Sequence, residues 1–195
     1  MCVIIKSNFK TTDLKISILS TSDDLEKEAK AFDERIEERT KAGFIPDVRR
    51  AVKCEYFYKS FFRDPYLIKL FLQGEINYFL EMLKKYSYPG ARILDVGCGS
   101  GYTSLELARS GYHVTGIDIS SKVIDVAKKT LESNPFKDGF GSLKYHVSSF
   151  DEFDGKFDVV LFCGTIHHIR NPEKTILRAL DMLNPTGLLM CEEPS

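Results

Sequence analysis

The residues best suited to chemistry fall at three strand ends. In "ILDVGCGSGYTS" an apolar strand carries Asp95 and runs into glycines at alternate positions, Gly97, Gly99 and Gly101. In "VTGIDIS" a second strand ends on Asp118, about 20 residues beyond the first glycine. In "CGTIHHIRNP" a third strand, ending at Cys163, opens into a loop with His167 and His168. A glycine corner lets a ligand approach the backbone, and the amides of the following helix point at the same place. An acid at the end of the next strand accepts hydrogen bonds from ribose hydroxyls. A histidine beside such a site can move a proton.

The spacing narrows the ligand. A dinucleotide fingerprint needs G-x-G-x-x-G, and its third glycine falls where Tyr102 stands. Asp95 lies two residues before the first glycine, where it would repel a phosphate and suit an ammonium group. Two roles for Asp95 stay open at this point: direct ligand contact, or structural bonding to the loop. Cys98 reads as a small filler, not a reactive thiol. The site asks for a ribose and a cationic amino-acid end.

These elements sit in three regions. Residues 1–20 hold two strand-like stretches, around Val3–Ile5 and over Leu14–Leu19. From about 22 to 88 the chain reads as helical. Ser22 caps a first helix with Leu25, Ala29, Phe32 and Ile36 on one face. A second helix is expected over 47–62, and a third begins at Asp64-Pro65 with Ile68, Leu72, Ile76, Phe79 and Leu83 on one stripe. From Ala91 strands near 91–96, 113–118, 143–147, 157–163 and 187–192 alternate with helices near 102–110, 120–133 and 172–183. Such alternation predicts a mostly parallel sheet with helices on both faces. The expected organisation is an N-terminal helical cap over 1–88, with a terminal hairpin over 1–20, and a ligand-binding domain over 89–195.

The strand-and-loop set resembles the class I S-adenosylmethionine-dependent methyltransferases over residues 91–195. "ILDVGCGSG" is similar to their first motif, "GIDIS" to the acidic ribose loop, "FDVVLFCGTIHHI" to the fourth strand and its loop, and "GLLMCEEPS" to the fifth strand. The resemblance implies a Rossmann-like, doubly wound α/β fold with strand order 3-2-1-4-5 and S-adenosylmethionine as cofactor. It places Gly97, Cys98 and Gly99 along the methionine and ribose, with Asp95, Gly101 and Cys163 around them. Asp118 would hold the ribose hydroxyls and Ile119 the adenine face. The acid that often takes the adenine amino group is replaced by Ser149, followed by Phe150, with Asp151 one residue further on. The family usually continues past strand five with a helix and an antiparallel strand pair, where this sequence stops, so either the chain is a fragment or other residues protect that edge. The strands at 3–5 and 14–19 could cover it or pair with a second chain.

The implied activity is methyl transfer to a small molecule, with His167 or His168 as candidate base or as packing. No metal is expected. The rival readings are a non-catalytic S-adenosylmethionine-binding module or fragment, and a nicotinamide-dependent oxidoreductase. The formal net charge of -1 supplies no basic field for nucleic acid, and the loop lacks the Pro-Pro-aromatic motif of adenine and amide methylases. No apolar run is long enough to span a bilayer. Five scattered cysteines without a CxxC pair suit a reducing cytoplasm. Residues 46–63 are locally basic and aromatic. They read either as a lid for an anionic or sugar-containing acceptor, or as a helix with a solvated face. One aromatic, Tyr58 or Tyr66, is expected to close over the methionine end of the cofactor.

Overall fold

The computed structural model describes residues 2–6, 22–55 and 63–193. Its frame is a six-stranded sheet of β1 (Cys2–Lys6), β2 (Arg92–Val96), β3 (His113–Asp118), β4 (Ser142–Val147), β5 (Phe157–Cys163) and β6 (Leu183–Glu192), in spatial order β1-β6-β5-β2-β3-β4. Strands β2 to β6 are parallel and, counted from β2, follow the expected order 3-2-1-4-5. The edge of β6 is covered by β1, antiparallel, with Ile4 opposite Met190. Pairing there satisfies a row of amides that an open edge would expose. The expected strand at 14–19 lies outside the described residues.

Five helices complete the fold: α1 (Ser22–Lys41), α2 (Pro65–Tyr86), α3 (Tyr102–Arg109), α4 (Ser121–Glu132) and α5 (Pro172–Met182). Local chemistry sets their starts. Asp64 caps α2 by accepting from the Tyr66 amide, Ser120 caps α4 through Val123, and Asn171 caps α5 through Lys174. The helices pack apolar faces on both sides of a sheet whose central strands are buried on both faces. Phe79, Leu83, Ile93, Leu107 and Val159 fill one side, and Leu94, Val160, Phe162, Ala179 and Leu189 fill the other. Only a short turn links β4 to β5, with no helix between them. β6 starts earlier than expected because Asn184–Gly187 forms a bulge between the Phe157–Leu183 and Val159–Leu188 pairs.

Over the described residues 47–55 the helix expected from residue 47 does not form. Residues 48–50 make a turn and 51–54 carry no regular structure, while 56–62 lie outside the described residues. Tertiary ion pairing overrides the local pattern. The Asp47 carboxylate is fully buried and bonds Arg109 at 2.8 Å and Arg50 at 2.5 Å. Arg50 also donates to the Thr130 and Ser133 carbonyls at the end of α4. Arg49 binds Glu106 of α3 through Nε and Nη2. Arg49 and Arg50 therefore face α3 and α4 and line no part of the main cavity, a correction of their part in the basic lid. Tyr66 is likewise no lid residue; it sits at the exposed start of α2. Tyr58 lies outside the described residues.

Candidate active site

The glycine corner is built by β2, which delivers Gly97 to the carboxyl end of the sheet. The Cys98 amide bonds the Ile117 carbonyl of β3 and the Gly101 amide bonds the Cys98 carbonyl, so the loop folds back before α3. Gly97 has φ +66, and a Cβ there would lie 2.4 Å from the Thr165 methyl. That close approach locks the corner to the loop after β5. Gly99 opens on free space. Gly101 has φ +88 and faces Tyr145, whose hydroxyl a Cβ would meet at 2.3 Å. Gly101 packs against Tyr145 and is not among the residues that line the cavity.

A cavity of about 1030 Å³ spans the carboxyl ends of β2, β3, β5 and β6 beneath α1. It is large for a small-molecule site, with room for two ligands. Asp95, Gly97, Cys98, Gly99, Asp118, Ile119, Ser149, Phe150, Cys163, His167 and His168 all line it.

Asp118 accepts from the Gly99 amide at 3.0 Å and the Ser120 amide at 2.9 Å. Burial pushes its carboxyl up, against those two amides. Asp95 is buried and accepts from the Ser104 hydroxyl. Burial pushes its carboxyl up to about 6, opposed by Ser104 and helped by the charges of Asp118 and Glu75. Asp95 thus lines the cavity and bonds the start of α3. Burial also raises the Cys98 thiol well above its ordinary range, which fits a filler. The Ser149 hydroxyl donates to Glu152, and Phe150 packs edge-on against Phe162.

The loop after β5 continues as a 3₁₀ turn, Ile166–His168. Glu193, just past β6, accepts from the Thr165 amide at 3.0 Å, the Ile166 amide at 2.7 Å and His167 Nδ1 at 2.6 Å. Burial pushes Glu193 up, but His167 and the two amides outweigh it and hold its carboxyl low. His168 Nδ1 lies 3.1 Å from Glu28 of α1, and its ring meets Phe32 edge-on. On the cavity's inner wall Cys163 donates to Glu75 of α2, and Glu192 completes a cluster there. Burial raises both Cys163 and Glu192, reinforced by Glu75.

Sequence reasoning missed Glu28, Glu75, Thr165 and Glu193. Two of these carried signals. Glu75 falls seven residues after Ile68, a charge on an otherwise apolar stripe. Glu193 follows the carboxyl end of a parallel strand, where ligands of open sheets bind.

A doubly wound sheet with strand order 3-2-1-4-5, an alternating glycine corner and an acid closing the second strand define a nucleoside-binding α/β fold. The family described as a methyltransferase domain matches residues 87–195, and the chain belongs to it. The ubiquinone biosynthesis O-methyltransferase of Aromatoleum aromaticum is 37% identical over 102 residues, covering 50% of this chain and 42% of its own. The mitochondrial enzyme of that name from Schizosaccharomyces pombe is 30% identical over 127 residues, covering 64% and 46%. The chain thus spans less than half the length of these relatives. Among solved structures, magnesium protoporphyrin IX methyltransferase (ChlM) from Synechocystis PCC 6803, with bound S-adenosylmethionine, superposes with a TM-score of 0.62. It is 20% identical, over 86% of this chain and 75% of its own. The cyclase SpnF superposes with a TM-score of 0.61 at 20% identity, over 86% and 60%. These likenesses show the fold, and the family membership displaces the nicotinamide reading.

The residues present fit S-adenosylmethionine. The open face of Gly99 admits a ligand against the backbone. Asp118 and Asp95 are acceptors suited to hydroxyls and an ammonium. Among the described residues no helix is long and apolar enough to cross a membrane.

Proposed function

We propose that the chain transfers a methyl group from S-adenosylmethionine to a hydroxyl oxygen of a small molecule. One observation carries this reading: the glycine corner, Asp118 and His167 line a single cavity with room for two ligands. The O-methyltransferases among its relatives support an oxygen acceptor. When bound, the cofactor supplies a methyl activated by its sulfonium, which departs as a neutral thioether.

The chain's own residues bind, align and move a proton. Asp118 holds the ribose hydroxyls, and Ile119, Ser149 and Phe150 shape the adenine end. Gly97, Cys98 and Gly99 line the ribose and methionine, and Asp95 faces the ammonium. α1 lines the cavity with Leu25, Phe32 and Ile36. His167 takes the acceptor hydroxyl's proton as the oxygen bonds to carbon. Arg49 and Arg50 are paired with Glu106 and Asp47 and supply no charge to the acceptor, whereas Arg39, Arg170 and Lys174 line the cavity.

The test has two stages. Calorimetric titration should show binding of S-adenosylmethionine and S-adenosylhomocysteine, weakened at least tenfold in Asp118→Ala. Release of S-adenosylhomocysteine is then followed against phenols, sugars, amines and carboxylic acids. Turnover with phenols or sugars is expected. Turnover confined to amines or carboxylic acids refutes the hydroxyl acceptor, and binding without any turnover favours a non-catalytic module.

A further inference from the structure

We propose that Glu193 is a positioning residue that fixes the protonation pattern of His167, leaving Nε2 as the bare nitrogen that receives the acceptor's proton. The inference rests on the reading of His167 as base. A carboxylate only accepts hydrogen bonds. Glu193 faces Nδ1 at 2.6 Å, so the neutral ring carries its single proton on Nδ1 and its lone pair on Nε2. The same carboxylate receives the Thr165 and Ile166 amides through its other oxygen, Oε1. One side chain therefore sets both where the loop sits and which ring nitrogen is basic. It also balances the charge when the ring is protonated. The proton passes from the hydroxyl to Nε2, the oxygen lone pair forms the new C–O bond, and the C–S electrons leave on sulfur.

The neighbouring His168 has the same ring chemistry and a different anchor. Its carboxylate, Glu28, comes from α1 and lies 3.1 Å from Nδ1, whereas Glu193 also receives two loop amides. Glu193 follows directly on β6, which is paired on both sides by β5 and β1. The geometry thus distinguishes two adjacent histidines that the sequence leaves equivalent. His167 is held by the frame and His168 by the cover.

The imidazole ¹⁵N resonances of the labelled protein, with S-adenosylhomocysteine as probe, test this without any acceptor. Wild-type His167 should show the Nδ1–H tautomer. Glu193→Gln keeps an oxygen for the two amides but presents an NH₂ to Nδ1, so the His167 proton should move to Nε2. Glu28→Gln should alter His168 alone. A wild-type His167 in the Nε2–H form overturns the proposal, as does a tautomer that follows Glu28→Gln instead of Glu193→Gln. The wild-type spectrum decides even if the Gln variant folds poorly. With a phenol or sugar that the wild type methylates, Glu193→Gln should lower kcat on the order of 100-fold with KM little changed. Equal kcat would also overturn it. A protein that binds no S-adenosylhomocysteine would instead sink the proposed function and leave the ring assignment to be read from the free protein.

Discussion

Replacing Asp95 by Asn should make the ligand-free protein more stable at neutral pH while weakening its hold on S-adenosylmethionine. The Asp95 carboxyl is about 1% exposed, and burial moves its pKa from 3.8 to about 6. A difference of one in pKa is worth about 1.4 kcal/mol, so ionising this group in the fold costs about 3 kcal/mol. The sign follows from linkage. Between pH 4 and 6 the folded protein holds a proton that the unfolded chain has lost, so stability falls as pH rises through that window and then levels. Asn has no such charge, and its curve lacks that fall. It still accepts from the Ser104 hydroxyl, but its NH₂ brings a buried donor whose lack of a partner costs about 1–2 kcal/mol at every pH. The net gain at pH 7 is then about 1–2 kcal/mol, while the change in the wild-type-to-variant gap between pH 4 and pH 7 is about 3 kcal/mol. Urea unfolding of both proteins at pH 4 to 8 measures that gap, and titrations that both proteins share cancel. A gap that does not change with pH refutes the reasoning. A stabilised variant that binds S-adenosylmethionine as tightly as wild type would remove Asp95 from the ligand site.

Two further outcomes can be checked independently. Burial opposes ionisation of Asp47, but Arg109 and Arg50 outweigh it and hold its carboxyl at about 2. Its stabilisation is therefore complete above pH 4 and lost as pH falls towards 2. Asp47→Asn should cost at least about 2 kcal/mol at pH 7 by urea unfolding, up to about 5 as Arg109 is left buried, with the pH-dependent part gone near pH 2. Hydrogen exchange should show protected amides within Cys2–Lys6, since β1 pairs along β6; exchange there as fast as in a free peptide would disprove the pairing.

The sequence was most readable where one physical signal acted alone. Val159–Leu161 is a continuous apolar run because β5 is buried on both faces, and Asp64-Pro65 starts α2 because cap and ring both favour that turn. The stretch after Asp47 was misread because its helical pattern was sound but irrelevant. A buried Arg109 bonded to three side chains, Asp47, Glu106 and Asn134, dictates its path, and no local pattern reveals a partner 62 residues away. The site divides in the same way. Gly97, Asp118 and the histidine pair stand on motifs. Glu28 and Glu193 matter through contacts made only when α1 and β6 come together over one loop.

The pairing of Ile4 with Met190 also orders events during synthesis. β1 leaves the ribosome first, yet its partner is made after every other strand of the sheet. Until then an apolar "VII" segment has no place to dock, and contacts of such long sequence separation form slowly. Among the described strands, the most distant pair thus joins last, and with it the strand that leads into Glu193. A nascent chain halted before β6 would display both an unpaired β5 edge and a free β1. Such chains are natural clients for a holding chaperone.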